Sequence, residues 1–105
     1  MYQYATEAPD IAQIETTTGF TLLNFGTDWC THCQAAIPPV SEFLQQNNQL
    51  THTAVEDGKG RSLGRHYQVK LWPSLILLNN GKEVARVVRP TTADDLAPLA
   101  AALNA

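Results

Sequence analysis

The chain is poor in sulfur, with two cysteines and one methionine in 105 residues. Two cysteines cannot build the multi-bridge framework with which small secreted domains replace a core. At 44% apolar residues the chain has no need of one. Long apolar runs are missing as well, since none reaches the ~18 residues that span a bilayer. No membrane partner is expected, and the opening MYQYATEAPD lacks the basic-then-apolar pattern of a secretory signal, so a cytoplasmic protein is expected. Positive charge is scarce too: seven Lys and Arg stand against ten Asp and Glu, for a net charge of −3, with no run of either sign. That balance disfavours nucleic acid as a partner. Repeats, linkers and low-complexity tracts are absent. One monomeric domain over residues 1–105 is expected, with an ordinary hydrophobic core.

What is present alternates between helical and strand patterns. A short strand at Tyr2 to Ala5 precedes a helix carrying Ile11 and Ile14, closed by Gly19. FTLLNFGT is an apolar run of strand length between Gly19 and Gly26, the pattern of a strand buried on both faces. From Cys30 to Gln46, Ala36, Ile37, Val40, Phe43 and Leu44 share a helical stripe that Pro38 and Pro39 should kink. LTHTAVE reads as a second buried strand, GRSLGRHYQ as a short helix, and SLILL and KEVARVV as strands joined at Asn80-Gly81. A last helix starts at Thr91 or Thr92, with Asp94 or Asp95 as its capping partner and Pro98 as a kink. This order predicts an α/β fold. Strands linked through helices pair in parallel and the hairpin adds antiparallel strands, so a mixed sheet with helices on both faces is expected.

The two cysteines sit together in GTDWCTHCQ, where a strand runs directly into a helix. Cys30 falls at the helix N-terminus, whose free N–H groups and dipole favour negative charge, and thiolate is the nucleophile in disulfide exchange. Cys33 lies one turn further along the same face, within reach of a disulfide. A permanent staple across so short a loop would contribute little stability. The asymmetry suggests a cycle: an exposed Cys30 attacks a partner's disulfide, and a more buried Cys33 resolves the mixed disulfide. A zinc site from Cys30, Cys33, His52 and His66 fails on spacing, because 14 residues separate the histidines. No metal is expected.

WCTHC at a strand-to-helix junction, Pro38 five residues after Cys33, WPS further on and a hairpin ending near RVVRP together resemble the thioredoxin family over nearly the whole chain. The resemblance implies a thioredoxin fold and a thiol-disulfide oxidoreductase that exchanges its dithiol with protein disulfides. It implies no built-in cofactor, and electrons exchanged with a flavin-dependent reductase or glutathione. It also implies that Trp72-Pro73 is a cis peptide beside the sulfurs; propensity alone would put Pro73 at a turn or edge. In the family, backbone next to this proline pairs with an extended substrate segment, so Trp72, Pro73 and Ser74 would border the groove. A binding or chaperone module with the same fold is the alternative, although such a module has no need of two sulfurs at exchange distance.

Three departures from the family pattern carry expectations of their own. Thr31-His32 stands where many thioredoxins have Gly-Pro, as in disulfide isomerases; an imidazolium near Cys30 would stabilise the thiolate and make the disulfide more oxidising. Asn24 stands where thioredoxins carry a buried Asp that serves as proton acceptor for the resolving thiol. An amide cannot take that role, so resolution by Cys33 is expected to be slower; Glu56 and Asp57 are substitutes only by rough register and read otherwise as a solvated strand end. Arg89 replaces a common glycine after the hairpin, and is either a solvated charge or a feature that narrows the groove and selects acidic partners. Trp29 is expected to shield the thiolate and to pack on a partner chain; Asp28 reads as a helix-start acid.

Overall fold

The computed structural model describes residues 1–105. Helix α1 (Ile11–Thr16) leads into β1 (Phe20–Gly26), followed by α2 (Thr31–Gln46), β2 (Thr51–Glu56), α3 (Ser62–His66), β3 (Ser74–Asn79), β4 (Lys82–Val88), a 3₁₀ turn (Ala93–Leu96) and α4 (Ala97–Leu103). The strands form one sheet in the order β2-β1-β3-β4. β1 pairs in parallel with β2 and antiparallel with β3, and β3 pairs antiparallel with β4. The mixed sheet expected from the element order is therefore present.

The continuous apolar runs of β1 and β3 follow from their central positions, because each strand supplies side chains to two cores. Leu22, Leu75 and Leu77 pack with Ala36, Val40 and Phe43 of α2 and with Leu96 and Leu99 at the C-terminus. Leu23, Phe25, Ile76 and Leu78 point the other way, onto Ile14 of α1 and Leu63 of α3. On this alternation Asn24 shares the parity of Leu22 and faces the α2 side.

Several boundaries differ from the sequence expectation. The N-terminal strand is one bridge, Ala5 to Val55, carried by Ala5 N–H to Ala54 O at 2.9 Å and Glu56 N–H to Ala5 O at 2.8 Å. Gly19 does not close α1, which ends at Thr16 with extended Thr17 as its cap. Instead Gly19 is clamped to the hairpin: its N–H donates to Asn80 Oδ1 at 2.8 Å and its carbonyl accepts from Asn80 N–H at 2.9 Å. Asn80 and Gly81 have φ of 52° and 82°, the two positive values that a tight hairpin of right-handed twist requires. A side chain at Gly81 would also run into the Glu15 carbonyl. The last helix opens as a 3₁₀ turn, and Asp95 rather than Asp94 caps it, accepting from the N–H groups of Thr91 at 2.9 Å and Thr92 at 3.1 Å. Pro98 makes no kink, because it occupies the first turn of α4, where its missing N–H has no intrahelical acceptor to serve.

Candidate active site: two thiols over a buried polar chain

β1 delivers the chain to Gly26, a three-residue turn follows, and Cys30 becomes the N-cap of α2. Its Sγ accepts the Cys33 N–H at 3.4 Å, so one otherwise unpaired helix-start donor points at this sulfur. Both cysteines are free thiols. Cys30 is 9% exposed and Cys33 1%, so the expected gradient exists but Cys30 is far more covered than the sequence suggests. The cover comes from Tyr4, packed with both sulfurs, and from Tyr2, Ala54 and Trp72 around them. Burial pushes the Cys33 thiol up to about 11, with Cys30 adding to the shift and hydrogen bonds from the Thr27 backbone and Tyr4 opposing it.

Gly26 makes room for this arrangement. A methyl on its Cα would lie 2.5 Å from Cys33 Sγ and 2.9 Å from the Tyr4 ring. Gly26→Ala is therefore expected to displace sulfur or ring and to destabilise the chain by about 1–3 kcal/mol, read from the urea midpoint, as overpacking does elsewhere.

Beneath the sulfurs lies a chain of polar groups. Asn24 is fully buried; its Oδ1 accepts the Tyr4 hydroxyl at 2.6 Å and its Nδ2 meets His52 Nε2 at 3.3 Å. Because the amide nitrogen can only donate, His52 Nε2 carries the lone pair and the ring proton sits on Nδ1. Burial lowers the His52 pKa to about 4. Tyr2 stacks edge-on against His52, with centroids 4.7 Å apart, and lies 6.0 Å from Tyr4. Asp28 anchors this N-terminal segment, accepting the Tyr4 N–H on Oδ1 at 2.9 Å. Neither rough substitute for the missing acid joins the chain: Glu56 pairs with Arg61 at 3.6 Å, and Asp57 accepts the Trp72 indole N–H at 2.9 Å. Sequence reasoning passed over Tyr4, and its signal was the spacing of Tyr2 and Tyr4, which puts two aromatics on one side of an extended segment.

The proline segment lies against the thiols as the resemblance implied. Trp72-Pro73 is cis, and Trp72 packs against the cysteine cluster. Trp29 is 72% exposed and meets Trp72 edge to face, with centroids 5.9 Å apart, so the two indoles form a rim instead of a lid over Cys30. Ser74 is buried, its hydroxyl donating to Leu71 O at 2.6 Å, which braces the turn from below. Arg89 keeps a positive φ of 54°, a conformation in which glycine is strain-free. Its N–H donates to Pro73 O at 2.9 Å and its Nε to Trp72 O at 2.8 Å, so it grips the proline turn and is no freely solvated charge. Thr31 and His32 are exposed on the first turn of α2. His66 stands apart, stacked on Tyr67, and no group of three His, Cys, Asp or Glu side chains gathers in a metal-binding arrangement. No helix is long and apolar enough to cross a membrane.

A thioredoxin family profile matches residues 6–102. Thioredoxin 2 from Pseudomonas aeruginosa PAO1, in its reduced form, superposes with a TM-score of 0.87 at 46% identity, covering 98% of this chain and 96% of that one. A thioredoxin from Neurospora crassa is 27% identical over 79% of this chain and 68% of its own length. A bifunctional thioredoxin reductase/thioredoxin from Mycobacterium leprae is 30% identical over 79% of this chain, which spans only 18% of that longer protein. A buried dithiol at a helix start, a cis-proline turn packed against it and a matching profile along almost the whole length agree. The chain belongs to the thioredoxin family and is a thiol-disulfide oxidoreductase.

Proposed function

We propose that Cys30 is the attacking nucleophile and Cys33 the resolving thiol in the reduction or exchange of protein disulfides. The observation that carries this assignment is the gradient between them: Cys30 Sγ sits at the N-cap with an N–H aimed at it, whereas Cys33 is sealed beneath it. Cys30 thiolate attacks one sulfur of the partner's disulfide, and the other sulfur leaves and takes up a proton. Cys33 then gives up its proton and attacks Cys30 Sγ. The intramolecular disulfide forms, the mixed disulfide breaks and the second partner sulfur departs as a thiol. The Trp29–Trp72 rim and the turn at Pro73 supply a shallow, sequence-tolerant seat for an extended segment. Arg89, placed beside that turn, favours acidic segments. Reduction of insulin by dithiothreitol with catalytic amounts of the chain tests the activity; Cys30→Ser must abolish it.

The chain acts as a cytoplasmic monomer and is recharged by a flavin-dependent reductase or by glutathione. The relative that joins reductase and thioredoxin in one polypeptide supports the first of these donors. His32, on the exposed first turn of α2, places an imidazole near the thiolate end of the helix. The disulfide is therefore expected to be more oxidising than the ~−270 mV typical of thioredoxin, near −200 mV. His32→Ala should move the potential toward the thioredoxin value in a glutathione titration. A wild-type value near −270 mV, unchanged in the variant, would leave His32 a solvated bystander.

A further inference from the structure

Two bonds fix the Tyr4 ring beneath the thiols: its backbone N–H is held by Asp28 Oδ1 at 2.9 Å and its hydroxyl by Asn24 Oδ1 at 2.6 Å. The same hydroxyl and the Cys33 sulfur share the space over Gly26, since a methyl there would stand 2.9 Å from Tyr4 Oη and 2.5 Å from Cys33 Sγ. A phenol has one proton to donate and lone pairs to accept with. While Cys33 is a thiol, its S–H can be received by Tyr4 Oη as the phenol proton points at Asn24. Once Cys33 carries charge, that arrangement sets lone pairs against a thiolate. Turning the hydroxyl proton toward the sulfur reverses it.

We propose that Tyr4 is a catalytic hydrogen-bond donor in the resolving step, its O–H turning from Asn24 Oδ1 to the Cys33 sulfur as the thiolate forms. Asn24 surrenders one contact and keeps its bond to His52, so it serves as the resting acceptor for the phenol proton. The thiolate is thus met by a neutral donor from the N-terminal segment, while Asn24 occupies the position where the family pattern has a carboxylate. Tyr4 neither gains nor loses a proton over the cycle: the Cys33 proton ends on the departing partner thiol, and the Cys33 electron pair forms the new S–S bond as the old one breaks. Burial and the nearby thiols push the phenol's pKa upward, which keeps it a donor and excludes it as a base. The ionisable groups facing Cys33 are Cys30, Tyr4 and Tyr2, with His52 reached through Asn24 and Asp28 through the Tyr4 amide.

The proposal rests on Cys33 being the resolver, and its test separates the two. In a Cys30→Ser background the Cys33 thiol is titrated by carbon NMR of its labelled Cβ, and in the intact dithiol the lifetime of the mixed disulfide with a model substrate is measured after quenching. Tyr4→Phe should raise the Cys33 pKa and lengthen the lifetime about tenfold, the size of one charge-assisted hydrogen bond. Asn24→Leu, similar in size but unable to accept, frees the phenol proton for Cys33 and should shift both quantities the other way. A merely structural role would move the two variants in the same direction, and that result, or no change in a folded Tyr4→Phe protein, overturns the proposal. If Tyr4→Phe does not fold, Asn24→Leu decides alone, and failure of the Cys33 pKa to fall overturns the donor role. Cys33→Ser runs alongside: if it accumulates no mixed disulfide, the resolver assignment fails and the Tyr4 role falls with it.

Discussion

Cys33→Ser is expected to leave the chain covalently joined to its disulfide substrate, with turnover reduced to the uncatalysed rate. Serine, slightly smaller than cysteine and nearly isosteric with it, fits the space, and the bond to Cys30 is made by the backbone N–H, which the substitution leaves in place. The first attack uses Cys30 alone and should proceed. Resolution requires a sulfur nucleophile one helical turn away, and a serine hydroxyl is neither ionised near neutrality nor thiophilic. Cys30→Ser should be as inactive but free of adduct, because Cys33 is buried and its thiol is held up near 11. Non-reducing electrophoresis and intact mass after incubation with a disulfide protein check both variants. Adducts on Cys30→Ser and none on Cys33→Ser would reverse the assigned roles.

Acid should weaken the fold well before the carboxylates titrate. His52 remains neutral in the folded chain down to about pH 4, because burial disfavours its charged form, whereas a solvated histidine titrates at 6.5. Between those values the unfolded chain binds one proton more than the folded chain, so stability rises with pH across the window. The contribution is fully present above pH ~6.5 and is lost as pH falls toward 4, with an upper bound of roughly 3–4 kcal/mol at ~1.4 kcal/mol per pH unit. Urea unfolding of the reduced protein at several pH values from 4 to 7 measures this slope. His52→Gln retains an acceptor for Asn24 Nδ2 but cannot take up a proton, and is expected to flatten the window. An equal slope in both proteins would show that His52 is accessible to protons in the folded state.

The parts of the molecule written into local pattern were legible in the sequence. Cys30 at a helix start follows from a buried strand running into a polar turn, and the Asn80-Gly81 hairpin from two residues that tolerate positive φ. What was hidden depended on contacts between distant segments. The spacing of Tyr2 and Tyr4 puts two aromatics on one side but does not place a hydroxyl 2.6 Å from Asn24, because it is a single bridge at Ala5 that lays that segment along β2. Asp57 looked like a solvated strand end until the fold brought the Trp72 indole onto it. Gly19 and Pro98 misled for a different reason: each has a local role, closing a helix or bending one, that here gives way to a tertiary bond and to a helix start. Arg89 joins both cases, since its left-handed backbone is one that favours glycine while its side chain takes up the Trp72 carbonyl.

The most direct test of the central claim is equilibration of the purified chain with reduced and oxidised glutathione, followed by acid quenching, thiol alkylation and peptide mapping. The expected result is one two-electron transition between the dithiol and a Cys30–Cys33 disulfide, independent of protein concentration. Stable glutathione adducts on either cysteine, disulfide-linked dimers, or no transition across the accessible range would contradict a thiol pair built for intramolecular exchange.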